Sequence, residues 1–201
     1  EPEAPRSKPV YQWVNAQKLT DQTQSISPES NRSIVWMYEG MLNLYQPQTQ
    51  ESVEAVIASI PRTRPSFLAF WGNTNLKTFD DPNWSTFLTN LGYLAKSAKD
   101  HGYLGIVQDD EYYLARSGVN LYDPPSDPSR NTALKVQIND KAKKYSLATK
   151  GLIVGSYGSW QQVEWMWPYK TFWKEVGRTQ QTMWFYEDPY TYRRNDTRSL
   201  N

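Results

Sequence analysis

Cysteine is absent from the 201 residues. That excludes disulfides, thiolate metal sites and a cysteine nucleophile together. Histidine is almost absent as well, the single copy being His101. Serine-hydrolase chemistry needs a histidine placed as base, and His101 stands on the N-terminal side of the strand expected at Leu104–Gln108, so that reading fails. Lysine plus arginine number 22 against 21 acids, with no basic run, and nucleic acid is not the expected partner. No apolar stretch approaches the roughly 20 residues that span a bilayer, so no transmembrane segment is expected. Gly155-Ser156-Tyr157-Gly158-Ser159 has loop glycines but no phosphate-binding lysine. Nucleotides are thereby set aside, and no cofactor is expected.

What the chain has in quantity is aromatic rings: 9 Trp, 14 Tyr and 6 Phe at a mean hydropathy of −0.76. They are read either as core plus scattered surface rings, or as a groove lined with rings that stack on sugar C–H faces. Both readings stay open here.

Segments rich in β-branched and aromatic residues alternate with helical patterns, which predicts an α/β fold on a parallel sheet. Strands are expected at Val10–Val14, Ser33–Tyr38, Ser66–Trp71, Leu104–Gln108, Leu152–Ser156 and Thr182–Tyr186. One helix is expected over Asp81–Asp100, with Asp81 as N-cap, Pro82 in the first turn, and Trp84, Phe87, Leu88, Leu91, Leu94, Ala95 and Ala98 at helical spacing. Others are expected over Ser52–Ile60 and Thr132–Thr149, while Gln161–Val176 is compatible with helix or loop. Tyr112–Arg130, broken by Asp123-Pro124-Pro125-Ser126-Asp127-Pro128, reads as a long loop after a strand end, where α/β folds place ligands. Residues 1–9 read as a flexible linker or the start left by a removed leader, and 10–201 as one domain. An exported protein, extracellular or periplasmic, is the matching expectation.

The chemistry-bearing stretch is Gly105-Ile106-Val107-Gln108-Asp109-Asp110-Glu111-Tyr112. Strand alternation sends Asp109 and Glu111 to one face and Asp110 to the other. Two carboxyls on one face repel, which raises one pKa and suits a general acid. The bland alternative is a solvated acidic turn. Asp109, Asp110 and Glu111 are also hard oxygen ligands of the calcium kind, but no metal site is expected, and His101 reads as a helix-capping residue.

These residues resemble the fourth-strand pattern D-G-x-D-x-D-x-E-Y of chitinases and related family-eighteen glycoside hydrolases. Gly105, Asp109, Glu111 and Tyr112 match it, and Val107 stands where the family has an earlier aspartate. Met183-Trp184-Phe185-Tyr186-Glu187-Asp188 is similar to that family's sixth-strand Met-x-Tyr-Asp element, with one residue inserted. More broadly, residues 66–113 resemble (β/α)-barrel glycosidases and glycosidase-like bacterial proteins. The resemblance implies a barrel-like parallel sheet. About six strands are counted where a closed barrel has eight, so the expectation is an incomplete or partial barrel, a barrel whose other strands belong to an absent segment, or an open sheet. It implies a carbohydrate polymer as partner, Glu111 as general acid and Asp109 as its support. Tyr112, Tyr186, Glu187 and Asp188 would then contact substrate, with Tyr157 and Trp160 as a sugar platform. The rival expectation is a non-catalytic glycan-binding or structural subunit of an extracellular assembly on a degenerate barrel, its exposed rings open to self-association.

Overall fold

The computed structural model describes residues 8–62, 64–71, 83–109, 124, 126–158 and 167–186, with Gly158 and Tyr186 described by backbone alone. Six strands run through these segments: β1 Tyr11–Asn15, β2 Arg32–Met37, β3 Ser66–Trp71, β4 Gly105–Asp109, β5 Ile153–Gly158 and β6 Thr182–Tyr186. All neighbours are parallel, and their order in the sheet is their order in the chain. A doubly wound sheet reverses direction at a switch point. Here nothing reverses, and successive crossovers advance one strand at a time, as they do around a (β/α) barrel. The sheet is a curled half-barrel.

Among the described residues five helices lie in the crossovers: α1 Ala16–Thr20, α2 Gln50–Ser59, α3 Trp84–Asp100, α4 Pro128–Ala148 and α5 Trp167–Val176. Their starts and stops follow from local chemistry. Thr49 and Ser52 form a reciprocal capping box at the head of α2. Helix α3 starts at Trp84 with Asn83 as its cap, while the expected cap Asp81 and Pro82 lie outside the described residues. Its other end is closed by Gly102 at φ +69, a conformation that costs a residue without Cβ little. Gly102 N–H then donates to Lys99 O at 2.9 Å and Tyr103 N–H to Ala98 O at 2.9 Å, which satisfies the last carbonyls of the helix.

Two elements depart from what the sequence predicts. Pro128 does not break the chain into loop; it occupies the first turn of α4, where its missing N–H has no intrahelical partner to lose. Asp127 is the cap, accepting from Ser129 N–H at 2.9 Å, so α4 begins four residues before the expected Thr132. The second is α1, a five-residue helix too short to show periodicity, whose cap Asn15 accepts from Lys18 N–H. The ambiguity over the aromatic run before Val176 resolves as helix from Trp167, with Phe172 and Trp173 buried.

Strand alternation divides the apolar residues into two clusters. Val14, Val35, Met37, Leu68, Phe70, Ile106 and Val154 face the helices and join Phe87, Leu91, Leu94, Ala95 and Ala98 of α3 in the main core. Phe87 stacks on Tyr45 with centroids 4.9 Å apart, and Tyr145 of α4 meets Phe172 and Trp173 of α5 edge-on at 5.4 and 5.5 Å. The opposite, concave face carries Ile34, Phe67, Ala69 and Val107, with partly buried Tyr11, Trp13, Trp36, Tyr157, Met183 and Phe185 around them.

Candidate functional site

Parallel register sets the concave face out as rungs. The middle rung runs Asn15, Trp36, Ala69, Val107, Gly155, Met183. Two residues further along the strands, at their carboxyl ends, Trp71 pairs with Asp109, Asp109 with Tyr157, and Tyr157 with Phe185. The carboxyl ends are the active end of (β/α) barrels, because the loops that follow them converge there. Among the described residues one acid, Asp109, thus sits between two aromatic neighbours at the rim where such folds bind ligands.

The curl brings rings from distant strands into contact. Trp13 of β1 lies 4.5 Å from Tyr157 of β5, centroid to centroid, and Tyr11 lies 5.4 Å from Phe185 of β6. Phe67 bridges the latter pair, at 5.9 Å from Tyr11 and 5.8 Å from Phe185. Two glycines make the room. A Cβ on Gly105 would stand 2.0 Å from Ile153 O and 2.8 Å from Phe67 Cε1, and one on Gly155 would stand 2.4 Å from Met183 O. Neither can be added without displacing the neighbouring strand, so the bare backbone is what lets the sheet bend inward under its rings.

Asp109 ends β4 and is 7% exposed, its alternation placing it on the same face as Val107. Tyr157, expected as a sugar platform, is its register partner, so these two expected site residues are brought together. Tyr186 closes β6 opposite Gly158. Glu111, Tyr112, Trp160, Glu187 and Asp188 lie outside the described residues. Trp13, Trp36, Trp71 and Phe185 were not singled out from the sequence. The signal was present, since Tyr11-x-Trp13, Ile34-x-Trp36 and Phe67-x-Ala69-x-Trp71 repeat with the period of two that fills one face of a strand. Of these, Trp36 is chemically distinctive. Its indole nitrogen is buried and has no hydrogen-bond partner among the described residues, which leaves one donor on the concave side unsatisfied.

The remaining polar groups belong elsewhere. His101 occupies the C-cap of α3, at the amino end of the sheet, with its Nε2 2.5 Å from Glu54 Oε1 of α2. The hydrogen bond from His101, and next that from Ser97, hold the Glu54 carboxyl below its ordinary range. Burial pushes the Tyr103 hydroxyl up to about 12 against the pull of Arg62, whose guanidinium lies 5.5 Å over its ring. Among the described residues no three acids or histidines gather closely enough to hold a metal ion, and no helix is long and apolar enough to cross a membrane.

Fold and rim together define the class: a partial (β/α) barrel with an acid flanked by aromatic residues at the carboxyl ends of its strands. The sequence matches no protein-family model and no curated protein.

Proposed function

We propose that this chain is a glycosidase-like domain that receives a polysaccharide on the concave rim, with Glu111 as general acid and Asp109 as its support. The observation that carries the reading is the rung Trp71, Asp109, Tyr157, which sets a carboxyl between two ring systems at the ligand-binding end of the fold. Sugars ask for this combination: ring faces for their C–H surfaces, and fixed donors or acceptors for their hydroxyls. In this reading Glu111 protonates the leaving oxygen while Asp109 supports the developing charge. Export to the periplasm or the cell exterior goes with this reading.

Binding without hydrolysis is the second reading, and one observation favours it. Val107, which stands at the position of an acid in the chitinase pattern, is wholly buried between Ala69 and Gly155. An aliphatic side chain there cannot pass a proton or orient the next aspartate. The two readings separate in one experiment, which measures reducing-end release from a panel of soluble oligosaccharides and binding by titration calorimetry. The hydrolase reading expects turnover in the wild type, lost in Glu111→Gln with binding kept, because an amide retains shape but has no proton to give. Binding without release by the wild type leaves the glycan-binding reading. Neither binding nor release ends both.

A further inference from the structure

A groove of about 300 Å³ lies at the amino ends of β5 and β6, the far end of the sheet from Asp109, between the last turns of α4 and α5. Lys143 and Lys150 line it. Lys99 of α3 reaches its Gly151 wall, with its Cε and Nζ 3.5 Å from where a Cβ on that glycine would stand. These three lysines make no ion pair among the described residues, whereas Lys96 and Lys144 each hold an aspartate one turn along their own helix. The carboxylate in the lining does not offset them. Glu175 is 13% exposed and already engaged by Arg178 at 2.9 Å. Lys99 and Lys150 stand at the C-terminal ends of α3 and α4, and the partial negative charge there, about half a unit per helix, offsets only part of three positive charges, so the groove keeps a positive potential that concentrates anions.

The shape and donors narrow the anion. Leu147 projects at the groove with 75% exposure, an apolar shoulder beside the cations. Gln180 on the opposite wall is fixed by donating to Thr149 Oγ1 at 2.9 Å, so that wall is formed in advance. Lysines are compact point charges with three rotatable donors, suited to the several oxygens of a phosphate; a flat carboxylate is better matched by the arginine fork. We propose that this groove binds a small phosphate ester, its phosphate among Lys143, Lys150 and Lys99 and its apolar part against Leu147. The site stands apart from the concave rim and does not depend on the carbohydrate reading.

Amide chemical shifts of the whole chain test it, titrated first with inorganic phosphate and then with phenyl phosphate. The expected result is a saturable shift of the Lys150 and Gly151 amides, with phenyl phosphate the tighter ligand because its ring reaches Leu147. Substituting Lys143→Ala and Lys150→Ala together should weaken binding at least about tenfold, the scale of a lost hydrogen bond to a charged group. Lys144→Ala, one residue away but paired with Asp140, should leave it unchanged. A vesicle arm with phosphatidylglycerol distinguishes a free ester from a lipid headgroup: sedimentation with vesicles that needs Lys143 and Lys150 assigns the phosphate to a lipid. Shifts that do not saturate, that fall elsewhere, or that persist at equal affinity in the double variant overturn the proposal.

Discussion

The two faces of one sheet are built to different rules. Toward the helices the strands present Val14, Val35, Met37, Leu68, Phe70, Ile106 and Val154, nearly all aliphatic and without solvent exposure of consequence. Toward the concavity the same strands present Tyr11, Trp13, Trp36, Phe67, Tyr157 and Phe185, most of them only partly buried. Packing alone does not ask for the second set. Aliphatic side chains fill a barrel interior well, and barrel cores use them. On the carbohydrate reading, large rings left partly open are what a binding face retains at some cost in stability. The helix face holds the fold, and on that reading the concave face is kept available.

Substitutions on the two faces should therefore fail differently. The largest effect is expected from Phe87→Ala, on the helix side. Phe87 is wholly buried and touches Tyr45, Phe70, Trp84 and Tyr145. Removing it deletes its transfer free energy and leaves a cavity that the surrounding rings cannot collapse into, a loss of about 3–5 kcal/mol. Urea unfolding measures it, and a loss under about 1 kcal/mol would show that α3 does not anchor the sheet.

Trp13→Ala probes the other face and sharpens the contrast. Trp13 is partly exposed and its chief ring contact is Tyr157, so its removal should cost about 1–2 kcal/mol, less than a core ring. On the carbohydrate reading the same change removes most oligosaccharide binding, while Phe87→Ala leaves the affinity of the folded fraction intact. Equal destabilisation by the two substitutions, with binding untouched by Trp13→Ala, would make the concave face a second core and erase the distinction.

The contrast also explains what could be read in advance. All six strands are legible because parallel strands buried on both faces are written as apolar runs, and Ser66–Trp71 and Thr182–Tyr186 fall on the expected bounds. Leu91, Leu94, Ala95 and Ala98 are legible as a buried stripe because a long helix repeats its period several times. Pro128 misleads because proline breaks a helix from within yet suits its first turn, and only the capping contact of Asp127 decides between the two. Asp109 is legible from alternation alone. The partnership of Trp13 is not, since it arises through sheet curvature, and nothing local to Trp13 states that Tyr157, far along the chain, will lie 4.5 Å away.

The smallest effect belongs to neither face. Glu54 and His101 join α2 to the end of α3 at the surface, and the hydrogen bond from His101 keeps the Glu54 carboxyl below its ordinary value of 4.5. A carboxyl whose pKa is lower folded than unfolded binds fewer protons in the native state. Its stabilisation is therefore complete above the unfolded value of 4.5 and fades as pH falls through the lower folded one. Glu54→Gln removes the ionisable group while keeping an acceptor for the imidazole. The stability difference between wild type and variant should shrink as pH falls below about 4.5, as the wild-type carboxyl is titrated. Because the pair is exposed, added salt should narrow the same difference at about pH 5, where an ordinary imidazole is charged. Urea midpoints across pH at two salt concentrations test both statements. A difference that grows on acidification would mean that Glu54 is harder to ionise in the folded protein than in the unfolded chain, reversing the assigned direction. A difference indifferent to salt would mean that the contact joins the two helices by packing and not by charge.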